Sequence, residues 1–493
     1  MKVKVKKQKV KVTLLLFFYL LPFTFLLLTG CGAKRTPNLE RIFAESRTRT
    51  GKRPIIVIPG ILGSQLINKD TNEVAWPSAF RVSDNDLRLP ISPDLAANRD
   101  NLVASKILDT IKLARLVPDV YIYHHLLVAL NKYGGYTEGD WNNPGAGGDR
   151  DTFYVFPYDW RRDNVETARE LVRRIEDLKR KLNRPDLKFN IIAHSMGGLI
   201  ARYAAMYGDA DLPPDESQPV PTWAGASGIN KIFMLGTPNE GSMDAFSTLL
   251  QGYSLTEGLR RRIRLLNKLS REDALTAPSI FQLMPHSRMV SFLDGNLAPL
   301  KVDLYDPAVW RYYGWAAISD PKSRKTFEKN EGEIALAHAD KLNLLDAYFA
   351  AALKRAKRFH EALDAVIESE PPVSLFAFGG DCEETLQSPV ILRDEKRGGW
   401  ITLTEPRQLR LANGNKVSKQ DVTFAMYAPG DGRVTRRSLL AETLAESRRA
   451  SALFNTSLPI VYAVFACDLH GELQSNKTLQ DNALTALVSE AMK

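Results

Sequence analysis

Six short apolar runs, set among stretches of helical periodicity, constrain most strongly what this chain can fold into. The first is Arg53-Pro54-Ile-Ile-Val-Ile-Pro59-Gly60, rich in β-branched residues and ended by Pro-Gly. Thr152–Phe156, Lys188–Ile192 and Lys231–Leu235 follow, and Val373–Phe378 and Leu458–Phe465 lie late in the chain. Runs this short and continuous are the pattern of strands buried on both faces. Between the second and third, Val165, Ala168, Leu171, Val172, Ile175, Leu178 and Leu182 share one helical face, with Asn164 where a cap belongs. Strands alternating with amphipathic helices predict an α/β protein with a mostly parallel sheet flanked by helices.

Two stretches break the alternation. Residues 64–150 are long and irregular, ending in the loop sequence PGAGGD. Residues 241–370 read as helical and free of strands, including Leu342–Val366, and are expected to form a cap over the C-terminal strand edges. Within them, Leu259–Leu269 sets Leu259, Ile263 and Leu266 on one side and Arg260, Arg261, Arg264 and Lys268 around it, read as a solvated cap helix, with a lid touching anionic lipid heads as the alternative. The expected organisation is a leader over 1–30, a tether over 31–52, and core over 53–240 carrying the insertion 64–150. A helical cap over 241–370 and a second core segment over 371–493 complete it.

The formal charge of +9 suggests a polyanion-binding protein until the charges are placed. Six lysines lie in the first eleven residues, and without them the remainder carries only +3, too little for a nucleic-acid footprint. Those lysines precede an almost wholly apolar stretch, residues 12–29, and then Leu28-Thr29-Gly30-Cys31. A basic n-region, an apolar h-region and small residues before a cleavage point make a secretory signal. Pro22 inside the apolar run argues against a retained transmembrane helix. The Leu-Thr-Gly-Cys tetrapeptide resembles the lipobox of bacterial lipoproteins, which implies lipidation of Cys31. The body is then expected in the bacterial cell envelope, lipid-anchored on the extracytoplasmic side of a membrane.

Ile191-Ile-Ala-His-Ser195-Met-Gly-Gly198 ends a strand pattern and begins a helix. This is the setting of a nucleophilic serine on a sharp strand-to-helix turn, with small residues two before and two after so that backbones can pass closely. A serine hydroxyl needs a base, and seven histidines are available. His194 is adjacent to the serine and is expected to point away from its hydroxyl. His286, His338 and His360 lie in the cap, and His124 and His125 in the insertion. His470, just past the last strand, holds the place of a triad base. The acid should come between. Asp431, between Gly430 and Gly432, is the first choice, and Asp381, directly after the Val373–Phe378 strand, is its rival. Oxyanion donors are expected at the Met196 N–H and at Ile61 in the turn after the first strand, with Leu62 the alternative.

With these residues in place, the chain resembles the lecithin:cholesterol acyltransferase-like group of α/β-hydrolases. Pro54–Gln65, Val120–Gly139, Pro157–Arg161, Ala193–Leu199, Gly236–Ser242, Gly430–Val434 and His470-Gly471 match in family order. Tyr158-Asp159-Trp160-Arg161 is the most specific piece, since generic esterases lack it. Ala193 replaces a usual Gly, and Arg433 stands where a Thr is usual. The resemblance implies transfer of an ester acyl group from a lipid to water or an alcohol, with roles for Ser195, Asp431 and His470. Hydrolysis is favoured, because a bound alcohol needs a dedicated site. A non-catalytic lipid-binding envelope lipoprotein on the same scaffold is the alternative. The reading calls for no cofactor and no metal, and no CxxC pair offers a zinc site.

Cys382 and Cys467 each lie a few residues past a strand end. Parallel neighbours about 4.8 Å apart fall inside the separation a disulfide accepts, so the two are candidates for a bond.

Overall fold

The computed structural model describes residues 36–78, 87–111, 120–215, 217–254, 268–330, 338–366, 370–396, 398–411, 413–442 and 456–489. Cys31 and the apolar run before it lie outside these residues. Seven parallel strands form the central sheet: β1 (Ile55–Ile58), β2 (Thr137–Glu138), β3 (Thr152–Val155), β4 (Phe189–His194), β5 (Ile229–Leu235), β6 (Ser374–Gly380) and β7 (Ile460–Ala466). Their order is β7-β6-β5-β4-β1-β3-β2. Six of them are the six apolar runs. The seventh, β2, is two residues long and carries no alternation to read; it pairs through Thr137↔Thr152 and Glu138↔Phe153.

Successive strand residues point to opposite faces, and each face is covered. Ile56, Ile58, Ile191, Ala193, Ile232, Met234 and Ala377 join one buried cluster with Ala168, Leu171 and Leu199. Ile55, Val57, Ile192, Phe233, Leu235 and Phe378 join another with Leu126, Leu130, Leu484 and Leu487. The helices supplying those residues are α1 (His124–Lys132), α2 (Asn164–Lys181), α3 (Met196–Tyr207) and, further on, a C-terminal helix Lys477–Val488. In α2 the buried stripe is the one its periodicity predicts, but the cap is Asp163, whose side chain accepts from the Val165 N–H. Asn164 is the first helical residue instead, and its N–H donates to Gln282 Oε1 at 2.7 Å. A Leu171→Ala change in this stripe would cost about 2–5 kcal/mol.

The insertion is more regular than its sequence suggests. Ser64–Asn68 pairs antiparallel with Val74–Trp76 and with Leu102–Ile107, beside the turn that follows β1. The cap is helical, with α4 (Met243–Gln251) and α5 (His338–Leu363) among its elements, but it is not free of strands. Tyr253–Ser254 pairs with Lys268–Leu269, and Phe292–Leu293 pairs with Pro299–Leu300. Ladders of two residues are too short to leave a period in sequence. Lys268-Leu269 is therefore strand rather than the end of a helix, and the arginines before it, in residues 255–267, lie outside the described residues.

After β6 the chain makes the hairpin Val390–Asp394 with Gly399–Leu403, which continues the Phe292–Leu293 ladder through Leu293↔Val390. Trp315 Nε1 of the cap donates to Thr402 Oγ1 at 2.7 Å. This excursion packs on the cap and returns at Tyr427–Gly430, which pairs with Glu383–Leu386. Asp431 is thereby delivered to the end of the sheet close to where the chain left it. Among the described residues no helix is long and apolar enough to cross a membrane.

Candidate active site

The site lies at the C-terminal ends of β1, β4, β5, β6 and β7. Ser195 occupies the step between β4 and α3 with φ 53° and ψ −124°, a backbone state that costs a non-glycine residue roughly 1–3 kcal/mol. Flanking structure enforces it: the Ser195 N–H donates to the Leu235 carbonyl at 2.8 Å. A Cβ on Gly197 would lie 2.7 Å from the Pro59 carbonyl oxygen, and one on Gly60 would lie 2.8 Å from Ser195 Cβ. The turn after β1 and the serine turn are thus pressed together, which is why both carry glycine.

That first turn runs Gly60 to Gly63, closed by Gly63 N–H to the Gly60 carbonyl at 3.1 Å, with Leu62 at φ 63°. A positive φ at the third position is the type II arrangement. Gly60 spends its own N–H on the Tyr123 hydroxyl at 2.8 Å. Gly63 spends its N–H on the Gly60 carbonyl, which leaves Ile61 and Leu62 as the candidate donors of this turn, and the Met196 N–H opens α3, where first-turn amides have no partner within the helix. The Tyr158 hydroxyl donates to the Pro59 carbonyl at 2.9 Å. Arg161, buried, binds Asp159 and both carboxylate oxygens of Asp100. The Tyr-Asp-Trp-Arg segment is thus a brace for the turn rather than a reactive group.

Asp431 and His470 meet at the other side. Asp431 Oδ2 accepts from His470 Nδ1 at 2.8 Å, and its Oδ1 accepts the N–H groups of Arg433 at 3.0 Å and Val434 at 2.7 Å. Both residues are buried. Thr385 Oγ1 accepts the Gly432 N–H at 2.8 Å, fastening the acid's turn to the strand at the root of the excursion. Arg433 pairs with Asp244 at the start of α4 at 2.6 Å and lies over the Tyr253 ring, so the same turn is anchored to the cap. Asp381 is half-buried at the end of β6 and makes no hydrogen bond to His470. The structure sets Asp431, not Asp381, against the histidine.

Cys382 and Cys467 form a disulfide with a Cα–Cα distance of 5.3 Å, joining the loops after β6 and β7. His470 follows directly. His194 points away from the serine hydroxyl, as its place beside Ser195 predicts, but it has partners that the sequence does not show. Its ring centroid is 4.8 Å from that of His470. Its Nδ1 lies 2.9 Å from the Tyr123 hydroxyl and its Nε2 3.0 Å from the His470 carbonyl oxygen. Burial, then the neighbouring His470, pushes the His194 imidazole down to about 3, so it is neutral. Sequence reasoning missed Tyr123 altogether. It sits at the mouth of α1 within a family-like segment, and no local pattern separates it from Tyr121.

The remaining histidines lie elsewhere. His286, beside Asp364 at 3.0 Å, stacks on His360 with ring centroids 4.0 Å apart. His124 pairs with Asp109 at 3.0 Å.

A parallel sheet flanked by helices, with a serine on the strand-to-helix turn and an Asp–His pair on the loops beyond it, defines an α/β-hydrolase fold. The lecithin:cholesterol acyltransferase family model matches residues 103–336. The Arabidopsis thaliana protein named lecithin-cholesterol acyltransferase-like 4 is 24% identical over 257 residues, 47% of this chain. That match spans 42% of the plant protein, less than half its length. Over these residues the chain is similar to the lecithin:cholesterol acyltransferase family. Among solved structures, the one titled the Tle4–Tli4 complex superposes with a TM-score of 0.56 at 14% identity, covering 90% of this chain and 100% of that chain. At that identity the likeness speaks for the fold alone.

Proposed function

We propose that this protein is a serine acyl hydrolase or O-acyltransferase acting on lipid esters, with Ser195 as nucleophile, His470 as base and Asp431 as its orienting acid. The observation that carries the reading is the bond from His470 Nδ1 to Asp431 Oδ2 at 2.8 Å, at the sheet edge where Ser195 turns. That bond puts the Nδ1 proton on the aspartate side and leaves Nε2 as the basic nitrogen. Ser195 Oγ attacks the ester carbonyl carbon while its proton passes to His470 Nε2. The carbonyl oxygen, now negative, is held by the Met196 N–H and by the Ile61 or Leu62 N–H. Collapse breaks the bond to the alcohol oxygen, which leaves with the proton from His470. Water or a second alcohol then attacks the acyl-serine and gives its proton to His470; the acyl–Oγ bond breaks, His470 returns that proton to Ser195 Oγ, and the acid or the new ester leaves.

The match of residues 103–336 to the lecithin:cholesterol acyltransferase family model supports a lipid ester as substrate. Hydrolysis is the favoured outcome, because water is always at hand whereas an alcohol must be bound and aligned. Residues 1–31 support a protein exported from the cytoplasm and tethered to a membrane through lipidated Cys31. Labelling with a fluorophosphonate tests the chemistry: intact protein should label and Ser195→Ala should not. Absence of label on the intact protein would favour the non-catalytic lipid-binding alternative. Product analysis on a phospholipid, with and without added alcohol, decides between hydrolysis and transfer. Intact-mass analysis of membrane-extracted protein checks the acyl chains on Cys31.

A further inference from the structure

Three hydrogen bonds run in series from the turn after β1 to the loop after β7. The Gly60 N–H donates to the Tyr123 oxygen at 2.8 Å, Tyr123 lies 2.9 Å from His194 Nδ1, and His194 Nε2 lies 3.0 Å from the His470 carbonyl oxygen. The proton order is forced. A carbonyl oxygen only accepts, so His194 Nε2 carries hydrogen. In a neutral imidazole Nδ1 is then the acceptor, so the Tyr123 O–H donates to it and keeps a lone pair for Gly60. The His470 peptide is gripped from both sides, since its N–H donates to the Asp431 carbonyl at 2.8 Å.

We propose that Tyr123 and His194 are positioning residues that hold the turn bearing Ile61 and Leu62 and the loop bearing His470 at a fixed separation across Ser195. The inference rests on the reading of Ser195, Asp431 and His470 given above. It assigns His194 a task that its place beside the serine does not suggest. The imidazole never exchanges a proton with substrate; it is a rigid spacer with one donor and one acceptor. Satisfying buried polar groups alone would need neither end of the series to be an element of the site. Here one end is the turn of the oxyanion amides and the other is the backbone of the base.

The experiment uses the full chain with Tyr123→Phe, His194→Phe and His194→Gln, assayed on a short-chain p-nitrophenyl ester. Rates are normalised to fluorophosphonate-reactive sites, and melting temperature is recorded alongside. A displacement of about 1 Å at a reacting group costs up to about 100-fold in rate, so Tyr123→Phe should lower kcat roughly 10- to 100-fold while KM stays within about threefold. His194→Phe should lose more. His194→Gln should recover most of that loss, because its amide can donate to the His470 carbonyl and accept from Tyr123. An unchanged kcat in folded Tyr123→Phe, with only the melting temperature lowered, overturns the proposal even if His194→Phe fails to fold. Ser195→Ala runs in parallel. Should it keep full turnover, the underlying assignment fails and the spacer with it; should it be inactive while Tyr123→Phe is unaffected, the spacer alone fails.

Discussion

Asp431 and His470 are joined twice, side chain to side chain through Oδ2 and Nδ1 at 2.8 Å and backbone to backbone through the His470 N–H and the Asp431 carbonyl at 2.8 Å. The second bond fixes where the imidazole starts, so the first has only to set its tautomer and rotation. An acid held in this way can be altered chemically without letting the histidine drift.

Asp431→Asn should therefore lower turnover by roughly 10⁴-fold while the protein stays folded, because the amide favours the wrong imidazole tautomer. Asp381→Asn should change turnover by less than about tenfold, since that carboxylate does not bond to His470. Steady-state kinetics of the two variants, with circular dichroism as a folding control, checks both. A crippled Asp381→Asn beside a mild Asp431→Asn would reverse the assignment.

Ser195→Ala and His470→Ala should each lower turnover by about 10⁴-fold or more, and the double variant should be scarcely worse than either. Losses that multiplied would mean that the two side chains work independently. Melting curves of each variant keep misfolded protein out of the comparison.

Replacing Cys382 and Cys467 together by serine should cost on the order of 2–4 kcal/mol of stability, as for a cross-link that closes a long loop. Melting curves measure that loss. Thiol counts on denatured protein should rise by two on reduction. The larger effect should be on turnover near the melting transition, because the bond ties the base of the His470 loop to β6.

His194 gives stability a definite pH dependence. Its imidazole is pushed down to about 3 in the folded chain, chiefly by burial, against about 6.5 when unfolded. Below pH 6.5 the unfolded chain takes up a proton that the folded chain refuses, so stability is lost as pH falls from about 6.5 toward 3. By pH 4.5 the loss from this group is on the order of 3 kcal/mol. His360, also buried and held low, acts in the same direction. His286 acts oppositely: burial works against its charge, yet Asp364 beside it leaves it raised. Comparing the pH dependence of denaturant midpoints in His194→Gln and the parent isolates the His194 part. An equally steep acid loss in the variant would refute a buried neutral His194.

Much of this was legible before any coordinates. Runs such as Ile55–Ile58 and Lys231–Leu235 announce buried parallel strands because burial on both faces leaves no polar position to interrupt them. The serine turn is marked by glycines that backbone crowding requires, and His470 by its place after the last strand. Asp431 could be named, but not separated from Asp381, because that choice depends on how far the excursion after β6 travels before it returns. The exchange of Asn164 for Asp163 as cap is a shift of one residue, decided when Gln282 of the cap takes the Asn164 N–H. Tyr123 was invisible for a different reason: its partners are Gly60 and His194, remote along the chain, and only tertiary contact makes them neighbours.

The disposition of the site along the chain has a temporal side. Synthesis proceeds from the N-terminus, and domains fold as their segments become available. Gly60, Tyr123 and Ser195 are made early, whereas Asp431 and His470, which bond to each other, belong to the last seventy or so residues. A growing or truncated chain that already displays Ser195 holds an unarmed hydroxyl. On the proposed roles of Ser195, Asp431 and His470, competence requires β7 to have joined the sheet, so activity would itself report that the whole core has been completed.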